Sequence, residues 1–300
     1  MTLRDESCIV CGAAIAMPRT GRRRETCSDR CRQRRCRARG GSVTAGAARF
    51  VTQDLARRAS QNGQRPVLVD LFCKAGGAGM GYDQAGFDVV GVDRDRQPRY
   101  PFRFIQADAL EFLAAGGAEG ADAIHASPPC QLHSSMLALA RATGSTKDHP
   151  ELVAPVREAL RATGLPYIIE NVPGAPLIDP VRLCGSSFGL DVRRHRLFES
   201  NVPLEVPACA HAWQVPRFEV RIGQPNSRSG GKDRKNPLSA VVTVVGNSVI
   251  ADEARRAMEM PWATRDDCSQ AVPPAYTRWL GMQLLIVVFQ ARAAAVRRAA

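Results

Sequence analysis

Ser127-Pro128-Pro129-Cys130-Gln131 carries a thiol on a segment that two prolines stiffen and strip of backbone donors. An isolated thiol of this kind is more often a small buried residue after a turn. Further along, Glu170-Asn171-Val172 supplies a carboxyl group. A thiol and a carboxyl on neighbouring strand ends can act as nucleophile and acid/base partner. A second chemical segment runs from Asp70 to Gly81 and contains Gly76-Gly77-Ala78-Gly79. Its glycines permit a tight turn and let a ligand approach the backbone. Asp93 and Asp108 follow at the ends of later apolar runs. Asp93 is suited to ribose hydroxyls, and Asp108 to an adenine amino group. The loop alone would suit NAD or FAD equally, although the G-x-G-x-x-G spacing is absent.

A third cluster is metal-like. Cys8-Ile-Val-Cys11 forms a knuckle, and Cys27-Ser-Asp-Arg-Cys31 suits the first turn of a helix capped by Ser28. Four thiolates so spaced, Cys8, Cys11, Cys27 and Cys31, match a closed tetrahedral Zn²⁺ site, with Cys36 left over. Ten Arg between Arg19 and Arg39 could contact phosphates or simply form a solvated basic face. Cys209-Ala210-His211 also has metal-ligand chemistry, but it offers only two clear ligands, so no second zinc site is expected there.

The elements that must position these groups alternate between strand and helix. PVLVDLF (66–72), DVVGVD (88–93), FRFIQAD (102–108), ADAIHASPP (121–129) and YIIENV (167–172) read as strands. Helices are expected from the glycine run to about Ala85 and near 150–163. The pattern predicts an α/β fold with a doubly wound, mostly parallel sheet, Rossmann-like, whose ligands bind at the carboxyl ends of the strands. Three stretches are expected: a zinc-binding Arg-rich module over 1–45, a linker over 46–65 with a short helix near 50–59, and a catalytic domain over 66–300. His125 and His133, flanking Cys130, read as ordinary core or loop histidines.

Composition narrows the partners. The 300-residue chain is 45% hydrophobic, enough for a sizeable core, and carries a net charge of +12. Residues 1–60 hold 14 Arg, no Lys and five acids, a charge of +9, leaving +3 for the remainder. A basic arm on a nearly neutral body argues for a polyanion, either nucleic acid or an acidic membrane face. No apolar signal-peptide core is present, and the longest apolar run, LLIVVF at 284–289, is too short to span a bilayer. Clustered and scattered cysteines suit a reducing cytoplasm. The Ala/Arg-rich composition hints at a bacterial cell or a phage-infected host.

Together, DLF-x-x-x-GG-x-x-x-G, PPCQ and ENV, followed by Arg194-His195-Arg196 and Ala271-Val272-Pro273-Pro274-Ala275-Tyr276, resemble the cytosine-C5 DNA methyltransferase family. The likeness is to its compact bacteriophage and actinobacterial members, over about residues 66–290. It implies that Phe72, Gly76, Gly77 and Pro129 surround S-adenosylmethionine, with Asp93 on the ribose and Asp108 on the adenine. It makes Cys130 the nucleophile on cytosine C6. Glu170 would hold N3 and the amino group of a flipped base, and Arg196 its O2.

Residues 197–241 would form the target-recognition insertion, where Lys232, Arg234 and Lys235 could meet phosphates and Trp213 could pack or stack. Double-stranded DNA is the expected partner of a monomer, with a cognate restriction endonuclease possible. Departures from the family pattern are Lys74 in place of Gly, Val192 in place of Gln, and Ser269-Gln270 before the Val-Pro-Pro. Gly246-Asn247-Ser248-Val249 competes for that last motif; 269–276 is preferred because a long C-terminal helix is expected after it. The same kit could act on RNA, and an inactive nucleic-acid-binding relative is the other alternative.

Overall fold

The computed structural model describes residues 65–133, 151–216, 240–242, 244 and 249–299. The expected zinc ligands Cys8, Cys11, Cys27 and Cys31 lie outside the described residues. So do the helix near 50–59, Lys232, Arg234, Lys235 and Gly246-Asn247-Ser248.

Strand β1 (Val67–Leu71) is buried along its whole length, Asp70 included, as befits the centre of a parallel sheet. It pairs in parallel with β2 (Asp88–Asp93) on one side and with β4 (Ala123–Ala126) on the other. Outside β2 lies β3 (Arg103–Gln106), and outside β4 lies β5 (Tyr167–Asn171), both parallel. Two further strands, β6 (Val181–Leu183) and β7 (Arg196–Ser200), complete a seven-stranded sheet of order β3-β2-β1-β4-β5-β7-β6. Strand β7 runs antiparallel to both neighbours. The chain therefore winds outward from β1 in one direction and returns to wind outward from β4 in the other. That switch point between β1 and β4 is where such a sheet opens a crevice at its carboxyl edge. A separate short pair, β8 (Val215–Pro216) with β9 (Ala240–Val241), lies outside this sheet.

Side-chain alternation divides the core between the two faces. Val67, Val69, Leu71, Ile124, Ala126 and Ile169 face helices α2 (Ala109–Ala114) and α3 (Val153–Thr163). Leu68, Val89, Ala123 and Ile168 pack with α1 (Gly77–Ala85) and the long helix α6 (Pro274–Ala299). Helices α4 (Ala251–Met258) and α5 (Arg265–Gln270) precede α6. A capping box on Thr264 and Asp267 starts α5. Pro274 sits at the first position of α6, where its missing N–H is harmless.

Helices α1 and α6 approach closely because small residues line the contact. A Cβ on Gly81 would stand 2.1 Å from Thr277 Oγ1, and one on Gly281 2.8 Å from the Ala85 Cβ. The LLIVVF run thus lies inside a 26-residue helix, long and apolar enough by length and composition to cross a membrane. Its Tyr276, Leu280, Leu284 and Val288 are buried in the sheet core, while Met282, Ile286 and Phe289 are exposed.

The structure differs from the sequence reading in places. Strand β3 ends at Gln106 because Asp108 turns to cap α2, accepting from Leu110 and Glu111 N–H. Residues 197–200 belong to β7, so any insertion begins beyond Ser200. Strand β7 is tied to α3 by a buried pair in which Arg157 Nε lies 2.6 Å from Glu199 Oε1 and Nη2 lies 2.7 Å from Oε2.

Candidate functional site

The switch point brings together two loops. After β1 the chain passes through Phe72 (φ 59°) and Lys74 (φ 45°), both in the left-handed region, before Gly76 (φ 82°) caps α1. Cys73 N–H donates to the Val92 carbonyl, and Trp262 Nε1 donates to the Ala75 carbonyl, so the loop is held from both sides. Gly77 is required by packing: a Cβ there would lie 2.4 Å from the Val272 carbonyl oxygen. That contact joins the glycine loop to Ala271–Tyr276, the segment preferred for the late motif.

Asp93 ends β2 beside this loop. Its Oδ2 accepts from Lys74 N–H and its Oδ1 from Asp95 N–H. The Lys74 ammonium lies 3.7 Å from Asp93 and 3.6 Å from Asp95. The residue that departs from the family pattern thus occupies a backbone conformation natural to glycine, and it places a cation on the carboxylate expected to meet a ribose. Beneath the loop, Asp70 is fully buried with Oδ1 unpartnered. Burial pushes its carboxyl up to about 8, against a hydrogen bond from Tyr100. Asp108, one strand further out, uses Oδ1 for the α2 cap.

On the other side of the switch point, Pro128, Pro129 and Cys130 follow β4. Asn171, fully buried at the end of β5, donates from Nδ2 to the Pro128 carbonyl at 3.1 Å. The two strand ends are thereby clasped, and Cys130 opens a helical turn over Gln131–His133. Glu170 precedes Asn171 and is buried, with Arg196 Nε at 2.8 Å from its Oε1. Burial raises the Glu170 carboxyl above its ordinary value, opposed by Arg196 and by a hydrogen bond from Ser127. Burial, with Glu170 next in effect, raises the Cys130 thiol, opposed chiefly by Arg196. Cys130, Glu170 and Arg196, expected to work together, therefore meet electrostatically at one site.

The sequence did not indicate what lies behind Glu170. The Ser127 hydroxyl serves Glu170 and also lies 2.9 Å from His125 Nε2, while Tyr82 Oη lies 3.0 Å from His125 Nδ1. With Ser127 donating to Glu170, it accepts from His125 Nε2–H, and His125 Nδ1 accepts from Tyr82. Burial pushes His125 down to about 3, so the ring is neutral in this chain. Arg194 has a different duty from Arg196: it donates to the carbonyls of Val244 and Ser269, and its own carbonyl accepts from the Tyr276 hydroxyl at 2.5 Å. His133 pairs with Glu151 at 2.7 Å.

The chain matches no family model, and comparison with curated proteins gives no match. Three solved structures that match part of this chain are described as methyltransferases. A protein described as a DNA modification methyltransferase encoded within an E. coli prophage is 16% identical with a TM-score of 0.47, covering 75% of this chain and 99% of its own. The Dnmt2 methyltransferase of S. pombe is 11% identical with a TM-score of 0.41, at the same coverages. An S-adenosylmethionine-dependent methyltransferase of Agrobacterium tumefaciens is 17% identical with a TM-score of 0.24, covering 51% of this chain and 59% of its own. The functional reading rests on the site residues.

Proposed function

We propose that the chain transfers a methyl group from S-adenosylmethionine to C5 of cytosine in DNA. The observation that carries this reading is the meeting of Cys130, Glu170 and Arg196 beside the glycine loop, with Asn171 clasping the two strand ends. The residues present fit the cofactor. Asp93 ends β2, Asp108 caps α2 just past β3, and the unpartnered Asp70 oxygen lies under the loop. Phe72, Gly76, Gly77 and Pro129 complete the expected surround. When bound, S-adenosylmethionine supplies an electrophilic methyl group.

The residues of this chain would do the rest. Cytosine C5 is a poor nucleophile. Addition of the Cys130 thiolate to C6, with a proton delivered to N3 by Glu170, makes C5 an enamine carbon. Glu170 suits this role because burial favours its protonated form. Arg196 holds the base oxygen O2 with guanidinium N–H groups other than the Nε committed to Glu170. After methylation, a water molecule takes the C5 proton, the C6–S bond breaks to release the thiolate, and N3 returns its proton to Glu170, which restores the ring and the acid. A base stacked in a duplex cannot meet Cys130 this way and must be flipped out.

The 1–45 arm, as a four-cysteine zinc module rich in arginine, would add nonspecific grip whose strength falls with salt. The chemistry is equally open to RNA cytosine, so the test is isotopic methyl transfer to DNA and to RNA by the purified protein. Transfer to DNA, lost in Cys130→Ala by about 10³-fold or more, is expected. Transfer to RNA alone would replace the substrate, and no transfer to either would reject the enzyme.

A further inference from the structure

A second group of chemically able side chains lies on the far side of Arg196. Cys184 follows β6, His195 immediately precedes β7, and Cys209 and His211 lie in the segment beyond β7. One ligand atom from each of the four lies within 4.8 Å of all the others. Cys184 Sγ is 3.2 Å from His211 Nε2, and Cys209 Sγ is 3.5 Å from His195 Nε2. The two imidazole rings have centroids 5.3 Å apart and planes inclined by 35°. A tetrahedral zinc ion with bonds of about 2.3 Å to sulfur and about 2.0 Å to nitrogen requires sulfur–nitrogen edges of about 3.5 Å. Two of the four sulfur–nitrogen edges, at 3.2 and 3.5 Å, already stand at about that length, and the remaining ligand–ligand separations are all within 4.8 Å. Only modest contraction is needed for the rest.

We propose that Cys184, His195, Cys209 and His211 bind one Zn²⁺ as a closed, four-ligand structural site. Two thiolates and two neutral imidazoles neutralise the ion's charge, which suits positions that range from buried to half-buried. Four protein ligands leave no open position for catalysis.

The surroundings explain what the ion does. Residues 201–210 lie outside helices and strands. This stretch is held by scattered bonds, among them Ser187 Oγ to the Ala208 carbonyl and Ala210 N–H to Ser186 Oγ. Ser186 Oγ also donates to Cys184 Sγ at 3.2 Å, which is outer support for a thiolate ligand. A segment with so little regular structure gains from a staple that ties its end to the β6–β7 hairpin. The ion would also fix His195 in place, and with it Arg196, the next residue, which bonds Glu170. The sequence reading saw only Cys209 and His211 because the other two ligands arrive from separate turns of the sheet's antiparallel edge.

The test uses the full chain without a polyhistidine tag, and it is independent of any methyl-transfer result. The N-terminal cysteines are silenced first by Cys8→Ser, Cys11→Ser, Cys27→Ser and Cys31→Ser. Elemental analysis after dialysis against Zn²⁺ should then find one zinc per chain, falling to background when His211→Ala is added. Replacing the zinc with Co²⁺ should give the visible absorption of a tetrahedral site and a thiolate charge-transfer band. To guard against simple misfolding, Cys209→His, which keeps a fourth ligand, should retain the metal and weaken the thiolate band. Absence of zinc from the N-terminally silenced chain overturns the site. So does a zinc content that His211→Ala leaves unchanged, or a Cys184–Cys209 disulfide in the protein as isolated.

Discussion

On the β1 side of the crevice, shape is set by backbone and packing. Gly77 leaves room for a carbonyl oxygen of the segment before α6, and Phe72 and Lys74 adopt left-handed conformations. On the β4–β5 side, buried charge governs: Glu170 stands between the Arg196 guanidinium and the Ser127 hydroxyl, and both it and Cys130 are pushed toward their neutral forms. The difference teaches where each side is vulnerable. One added methyl group should wreck the first side without touching chemistry, and one removed charge should silence the second without touching the fold.

The sharpest test of that contrast is Glu170→Gln, which keeps shape and removes the acid. Methyl transfer should fall by about 10²–10⁴-fold while the melting temperature holds. A large loss of stability instead would mean that the ion pair with Arg196 is chiefly structural. The same variant has a second readout. Glu170, Arg196 and Arg194 all act on Cys130, and removing the carboxylate that raises the thiol should move the pH midpoint of Cys130 alkylation downward, followed by peptide mass spectrometry. An upward or absent shift breaks the electrostatic account.

On the other side, Gly77→Ala should destabilise the fold by about 1–3 kcal/mol through overpacking, seen as a lowered denaturant midpoint. If it instead spares stability and weakens only cofactor binding, Gly77 serves the ligand more than the packing.

Asp70 crosses the division, since it is a buried carboxyl group under the loop. Its folded value of about 8 stands above the ordinary aspartate value of 3.8. The stability that its neutral form contributes is therefore present at acid pH and lost as pH rises toward and through about 8. Asp70→Asn should accordingly gain in stability relative to the parent as pH is raised from about 5 to about 8.5, measured by denaturant titration at each pH; a constant difference would deny the shift. The smallest effect is expected from Lys74→Gly. It should relieve the left-handed strain, release Asp93 and tighten S-adenosylmethionine several-fold by calorimetry. Weaker binding would show that the ammonium holds the cofactor.

Much of this was legible in sequence because the informative groups are local. Strands β1, β2, β4 and β5 are short, mainly apolar runs, Glu170 lies at the end of β5, and Cys130 follows β4 by four residues. Strand β6 and its partner β7 were missed, since VRL and RLFES mix charge with apolar residues and are stabilised by pairing and by the Arg157–Glu199 pair. The roles of Ser127, His125 and Asn171 were also hidden. Each depends on a partner at the end or on the face of another element, which spacing along the chain does not reveal. The distinct duties of Arg194 and Arg196 were hidden as well, because the carbonyls that hold Arg194, those of Val244 and Ser269, come from distant parts of the chain.

The hydrogen bond from Tyr276 to the Arg194 carbonyl has a bearing on synthesis. Cys130 and Glu170 leave the ribosome long before Tyr276 does, and α6 must then dock against α1 to bury Tyr276, Leu280 and Leu284. A nascent chain stalled before residue 274 would hold the nucleophile and the acid but lack the brace behind the arginine segment. Competence for chemistry is thus deferred until nearly the whole domain has emerged, so a partly made chain should not act on nucleic acid.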